Sequence, residues 1–207
     1  MNTVRAESTH PANGPTETGR PPDELRQRLL IARLRAGDRS ALDEIAAEHC
    51  PRLARLVSRM TGWSSDSDDL VQEVFVSVIR SARRYRGESQ LSTWLTSIAL
   101  NVCRLHHRKK VVRAALWRGV KFLKPTSTSQ DASHLPQEND RAQAVTNAVA
   151  KLASRYREVV VLHYLEEMTH DEAAEALGIS IGAVRVRLNR ARSELRKALG
   201  PLMDLEK

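Results

Sequence analysis

The sequence predicts an all-α protein built as two small helical domains joined by a flexible linker. Three observations predict it. Long stretches are rich in Ala, Leu, Arg and Glu, residues that lose little freedom on entering a helix. Apolar residues recur at steps of three and four in two separate blocks, 23–110 and 139–200. Between the blocks, PTSTSQDASHLPQ has the composition of a linker. Aromatic residues make up only 4 % of the chain, so both cores must be small and aliphatic.

Taken in order, residues 1–22 are polar with scattered prolines and read as a disordered tail, without the apolar core of a secretory leader. Asp23 is placed to cap a first helix carrying Leu25, Leu29 and Leu34. Gly37 stops that helix, and Asp38 or Ser40 caps the second, where Leu42, Ile45, Leu53, Leu56 and Met60 form one buried face. The loop 61–67 holds Gly62, Trp63 and a serine/aspartate cluster able to cap a third helix from about Asp68. That helix is expected to turn Leu70, Val71, Val74, Phe75, Val78 and Ile79 inward. Arg86-Gly87-Glu88-Ser89-Gln90 breaks the chain before a fourth helix with Leu91, Leu95, Ile98, Val102 and Leu105 on its apolar stripe. Four helices with short connections make one domain over 23–110.

Residues 111–138 form the tether, first basic and then Ser/Thr-rich. Between Ser89 and Gln130 there is no acidic residue, which makes this stretch the main positive block. The helical period returns with Val145, Val149 and Leu152, then with Val159, Leu162 and Leu165. A short helix over 169–177 and a long one over 181–199 complete the second domain, 139–200, ahead of a tail at 201–207.

The net charge of +8 and isoelectric point near 10.0 suit a polyanionic partner, because each neutralised phosphate releases counterions. No apolar run approaches the ~20 residues that span a bilayer, so a cytoplasmic protein without membrane insertion is expected. Cys50 and Cys103 are far apart and form no CxxC pair, which fits small buried residues in a reducing compartment. His106 and His107 are adjacent, so they point to different sides of a helix and are expected on its solvated surface rather than at a metal. With no phosphate-binding glycine loop, metal cluster or nucleophile–base set, the chain is expected to use no cofactor and to catalyse nothing itself.

The segment THDEAAEALGISIGAVRVRLNRAR fits a helix-turn-helix. Thr169 and Glu172 are spaced as a capping box, Gly178 suits the left-handed turn that ends the first helix, and Ser180 can cap the second. Ala174 is small where the helices cross, and Val184 with Leu188 closes the core. The opposite face of the last helix carries Arg185, Asn189, Arg190 and Arg192, with Arg187 flanking; Arg reads guanine and Asn reads adenine in a major groove.

A helix-turn-helix alone would fit a repressor equally well. The run DDLVQEVFVSVIRSARRYRGESQLSTWLTSIALNVCRLHHRKK, however, resembles region 2 of the sigma-70 family in its extracytoplasmic-function (ECF) branch. EAAEALGIS followed by VRVRLNRAR resembles region 4 of the same family. The resemblance implies that the DLVQE helix docks on the beta-prime coiled coil of RNA polymerase through Asp69, Gln72, Glu73 and Arg80, with the beta flap a second contact on the core enzyme. It implies that the fourth helix grips the non-template strand of the −10 element. Thr93, Ser97, Asn101, Arg104 and Arg108 lie there at three- or four-residue steps, followed by Lys109 and Lys110. Asn101 matches the position that contacts an extruded base, and the loop 86–90, with Arg86 and Ser89, would wall its pocket. Region 4 would read the −35 duplex through Arg185, Val186, Asn189 and Arg190, and an anti-sigma factor would hold the protein inactive. Two other classes stay open at this point: a stand-alone helix-turn-helix regulator, and an RNA-binding protein using the basic tether.

Overall fold

Prolines fit the first turn of a helix, where amides have no intrahelical partner, and helix α1 (Pro21–Arg35) starts on two of them. Its start therefore precedes Asp23, which becomes a first-turn residue rather than a cap. The computed structural model describes residues 21–62, 66–120 and 138–203; the tail before Pro21, Trp63, the Ser/Thr-rich half of the tether and the last four residues lie outside them. Gly37, at φ 87°, ends α1 and leads into α2 (Arg39–Thr61). Asp38 caps α2 by accepting from the Ser40 amide at 2.9 Å, and hydrogen bonds from Ser40 and then Arg33 hold its carboxyl down at about 2. Pro51 removes one rung from α2 without ending it, since Ile45, Leu53, Leu56 and Val57 are anchored on both sides.

Helix α3 (Ser67–Ser81) continues into a 3₁₀ turn, Ala82–Arg84, and α4 (Leu91–Val120) follows the Gly87 loop. The fourth helix does not stop near Lys110. It takes up the first part of the expected tether, because RKKVVRAALWRGV contains no proline and is rich in good helix formers. Helix α1 packs on α2, while α2, α3 and α4 pack on one another, with Ile45, Leu53, Leu56, Val74, Val78, Leu91 and Leu95 at the centre. Leu34 is buried as expected, but several expected core positions face outward: Leu25 and Leu29 give way to Leu30 and Ile31, while Ile79 and Leu105 end up on the bundle surface.

The second half holds α5 (Glu138–Lys151), α6 (Ser154–Val160), α7 (His170–Leu177) and α8 (Ile181–Met203). Between α6 and α7 runs a π-helical turn, Val161–Leu165, closed by the Glu166 amide on the Val161 carbonyl at 2.9 Å. The extra residue per turn shifts the phase, so Val160, Val161 and Leu162 are buried while Leu165, expected inside, is exposed. Val145 on α5 is likewise exposed, its neighbours Ala148 and Val149 taking the inward face.

The two halves are not separate. Helix α7 packs along α4, and α2 meets α5, α6 and the π turn, so that one connected apolar cluster runs through both.

Candidate nucleic-acid interface

The helix-turn-helix is built by short-range bonds that the sequence encodes directly. Thr169 accepts from the Glu172 amide at 3.2 Å while Glu172 accepts from the Thr169 amide at 2.8 Å, which completes the capping box. Gly178 sits at φ 66°, a left-handed turn that a residue with a Cβ adopts only with strain. Ser180 accepts from the Ala183 amide at 3.2 Å to start α8. With Val184, Leu188 and Ala191 buried, Arg185, Val186, Asn189, Arg190 and Arg192 are left exposed; Arg187, at the flank, is half-buried.

One of these arginines is held by a tyrosine of the π turn. Arg192 donates to the Tyr164 hydroxyl at 2.5 Å with its guanidinium 5.7 Å from the ring. Arg155 donates to the Tyr156 hydroxyl at 3.2 Å, and the nearby guanidiniums, Arg190 foremost and then Arg155, lower the Tyr156 phenol against the opposing effect of burial. Behind them His163 and His170 stack at 4.7 Å, and burial followed by the charges of His163, Arg185 and Arg192 holds the His170 imidazole below its usual range. The exposed face of α8 is thus a positive surface braced by the Tyr164 hydroxyl, with Tyr156 beside it, and periodicity alone did not reveal either tyrosine.

On the first bundle, α3 presents Asp69, Gln72, Glu73 and Arg80 to solvent, as expected. Val76 (43 % exposed) and Ile79 (48 %) share that strip, so the outer face of α3 is amphipathic rather than purely charged. The only hint in the sequence is an apolar set, 70–79, too wide for one buried stripe.

Helix α4 divides into three sides. Leu91, Leu95, Ile98 and Val102 face α2 and α3. Asn101, Arg108, Lys109 and Lys110 are exposed, and Ser97 is half-buried with its hydroxyl donating to the Trp94 carbonyl at 2.7 Å. The third side, Thr93, Thr96, Leu100 and Cys103, is also buried, on a helix that α7 covers. Thr93 is only 3 % exposed, so it does not join the polar face assigned to it; packing by a segment some 80 residues away overrides the local spacing. Burial, and then the Glu158 carboxylate, push the Cys103 thiol up to about 12, in keeping with an inert buried cysteine. Cys50 is half-buried, and His106 stands 3.5 Å from Asp66 while His107 is exposed.

Arg104 is the exception on the polar side. Its Nε and Nη2 donate to the two oxygens of Glu158 at 2.9 and 2.8 Å, and Nη1 reaches the Asn101 amide oxygen at 3.4 Å. Beside the start of α4 lies an open cleft of about 590 Å³ with Arg83, Arg84, Arg86, Ser89 and Trp94 on its walls. Its floor is aromatic: Trp94 and Tyr85 meet at 4.6 Å and 39°, and Tyr85 donates to the Ser89 carbonyl at 2.5 Å. Trp94 therefore packs against Tyr85 as an anchor for the loop, while Arg83 and Arg84 are additional cations on the cleft that the spacing argument passed over.

Among the described residues no cluster of His, Cys, Asp or Glu is arranged to hold a metal, and no helix is long and apolar enough to cross a membrane.

Residues 45–113 match the family model for sigma-70 region 2, and residues 142–195 match that for sigma-70 region 4. RNA polymerase sigma factor CarQ of Myxococcus xanthus is 33 % identical over 176 residues, spanning 83 % of this chain and 97 % of that protein. The ECF RNA polymerase sigma factor SigW of Bacillus subtilis is 28 % identical over 86 % of this chain and 100 % of its own length. Among solved structures, CnrH in complex with the cytosolic domain of CnrY aligns with a TM-score of 0.59 at 27 % identity, over 87 % of this chain and 99 % of CnrH.

Proposed function

We infer the working of this protein from one premise: the chain belongs to the sigma-70 family of RNA polymerase sigma factors, in its ECF branch. It is a sigma factor for transcription initiation. Its first bundle docks on the beta-prime coiled coil of the core enzyme through the α3 strip, where Asp69, Gln72, Glu73 and Arg80 supply charge and Val76 with Ile79 supplies apolar contact. The second domain contacts the beta flap and lays α8 in the major groove of the −35 element. The −10 strand runs along Ser97, Asn101, Arg104 and Arg108 toward Lys109 and Lys110, and the Arg86–Ser89 loop receives an extruded base beside the Trp94 cleft. Making no bond itself, the chain works beside the polymerase in the cytoplasm. An anti-sigma factor holds it inactive, and the complex of CnrH with CnrY is a case of a similar chain bound by a second protein.

The observation that carries this reading is the placement of two exposed strips, one amphipathic on α3 and one polar-to-basic on α4, on a single rigid bundle. Polymerase docking and strand capture then occur in fixed register. The test is initiation by the full chain on candidate promoters, with and without core polymerase. Transcripts are expected only when both are present. Tight duplex binding without polymerase, together with no initiation on any cognate promoter, would favour a stand-alone regulator instead. Asn101→Ala is expected to reduce permanganate-reactive open complex more than closed complex; equal loss of both would count against base capture by this side chain.

A further inference from the structure

A loop that receives a base binds it best when its shape is set beforehand, because ordering the loop on capture would cost affinity. Residues 85–90 have no regular secondary structure to set that shape. Gly87, at φ 77°, lets the chain turn, and the exposed Arg86–Glu88 pair at 4.0 Å adds little rigidity. The loop is held instead by one bond of its own and by two side chains of α1.

The internal bond runs from the Tyr85 hydroxyl to the Ser89 carbonyl at 2.5 Å, with the buried tyrosine ring packed on Trp94. The two external bonds fall where the chain leaves one helix and enters the next. Arg35 donates through Nε to the Ala82 carbonyl at 2.9 Å, on the 3₁₀ turn after α3. That carbonyl also accepts from the Tyr85 amide at 3.3 Å. Gln27 Oε1 accepts from the Leu91 amide at 3.4 Å, one of the first-turn amides of α4 that have no partner within the helix.

Gln27 and Arg35 stand about 12 Å apart along one helix at 1.5 Å per residue. Leu30, Ile31 and Leu34, between them, are buried and fix α1 on the bundle. A single anchored helix thus grips the loop at both of its ends. The Gln27 bond also lies at the junction between the loop and the helix that carries Asn101. Tyr85, Glu88 and Ser89 form a ridge between the Trp94 cleft and a smaller one of about 270 Å³, and Gln27 lies on the smaller side. Neither Gln27 nor Arg35 lines the Trp94 cleft, so any effect on a base held there passes through the loop.

We propose that Gln27 and Arg35 are positioning residues for base capture, holding the 85–90 loop in its receiving shape before DNA arrives, with the Tyr85–Ser89 bond as the internal tie. The proposal rests on the sigma-factor reading above for what the loop receives, whereas the brace itself belongs to the free chain.

Two measurements on the full chain test it. In the free protein, Gln27→Ala/Arg35→Ala is expected to speed hydrogen exchange at the Tyr85 and Leu91 amides about tenfold, with the amides of α2 unchanged. Unchanged exchange at both would overturn the brace. The second measurement uses polymerase core carrying the wild-type or variant chain. It is titrated with a fluorescein-labelled single strand bearing the −10 element of a promoter on which the wild type initiates. A matched set carries one abasic site, stepped through that element. The wild type is expected to lose affinity about tenfold at the captured position. The alanine pair is expected to lose only about twofold there, with its affinity for the abasic strand equal to that of the wild type. A general loss of stability would weaken both strands alike.

Gln27→Glu/Arg35→Lys, which keeps an acceptor and a donor in place, is expected to restore most of the discrimination; behaviour like the alanine pair would count against these two bonds as the cause. Should the alanine pair lower helical circular dichroism, Gln27→Ala alone carries the test, and full discrimination with normal exchange at Leu91 would overturn the proposal. A wild-type peak kept in full by the alanine pair overturns the positioning role alone. A flat wild-type profile overturns base capture by this loop, and the positioning role with it, whatever the exchange result.

Discussion

Helices α8 and α4 are both long, arginine-rich and assigned to nucleic acid, yet they come to their positions by different physics. Helix α8 is set by its own neighbourhood: a capping box, a left-handed glycine and a serine cap lie within 20 residues, and Val184, Leu188 and Ala191 dock it on its own domain. Helix α4 is set by distance. Its buried third side and the capture of Arg104 both depend on the second half of the chain, more than 50 residues further on. Where a surface is made by local bonds, its solvent face follows from spacing. Where it is made by a remote partner, spacing names the helix but not which side is free.

The sharpest break of this contrast is at Leu188, which is fully buried at the centre of the locally built domain. Leu188→Ala is expected to cost about 3 kcal/mol in a denaturant titration, through lost transfer energy and a cavity. Next comes the reading surface itself. Arg185→Ala is expected to weaken −35 duplex binding by roughly 1–3 kcal/mol in a gel-shift titration with polymerase, if its contact is bidentate. Arg192→Ala is expected to lose less, since its guanidinium already bonds Tyr164. A larger loss at Arg192 than at Arg185 would show that the tyrosine brace aims the arginine rather than diverting it.

A smaller effect tests the caps. Thr169→Ala should lower stability by about 1 kcal/mol, read as a fall in thermal midpoint, because the Glu172 amide loses its acceptor. The smallest effect has the opposite sign. Glu167 is the one non-glycine residue with positive φ, 56°, among the described residues. Glu167→Gly is expected to raise the thermal midpoint slightly, by about 0.5 kcal/mol of stability, as relief of left-handed strain exceeds the entropy of the added glycine. No change, or a fall, would mean that the turn is held as firmly by Glu166 and Met168 as by its backbone preference.

These cases show what could be read from residues in order. The capping box, the turn glycines, the polar strip of α3 and the exposed Asn101–Lys110 side all follow from bonds or periods spanning a few residues. The burial of Thr93 and the exposure of Ile79 and Leu165 do not. The first needs the second domain, the second reflects an α3 strip that the bundle leaves uncovered, and the third needs a π turn that ordinary 3.6-residue counting skips. Glu158 gave a faint sign, a carboxylate set against the apolar run 159–162, but its partner Arg104 was not legible.

The π turn has a genetic consequence as well. A single surplus residue in Val161–Leu165 turns everything after it by about 100° relative to an unbroken α-helix. Glu166, the residue immediately beyond, reaches Arg52 and Arg59 in that rotated frame. Deleting one codon inside the turn would leave the Glu166 amide four residues from the same Val161 carbonyl and keep the carboxylate in place. Inserting one would carry it about 100° round the helix and away from both guanidiniums, with no change to any charged residue. The grip between the two halves is thereby written into the count of residues as much as into their identities.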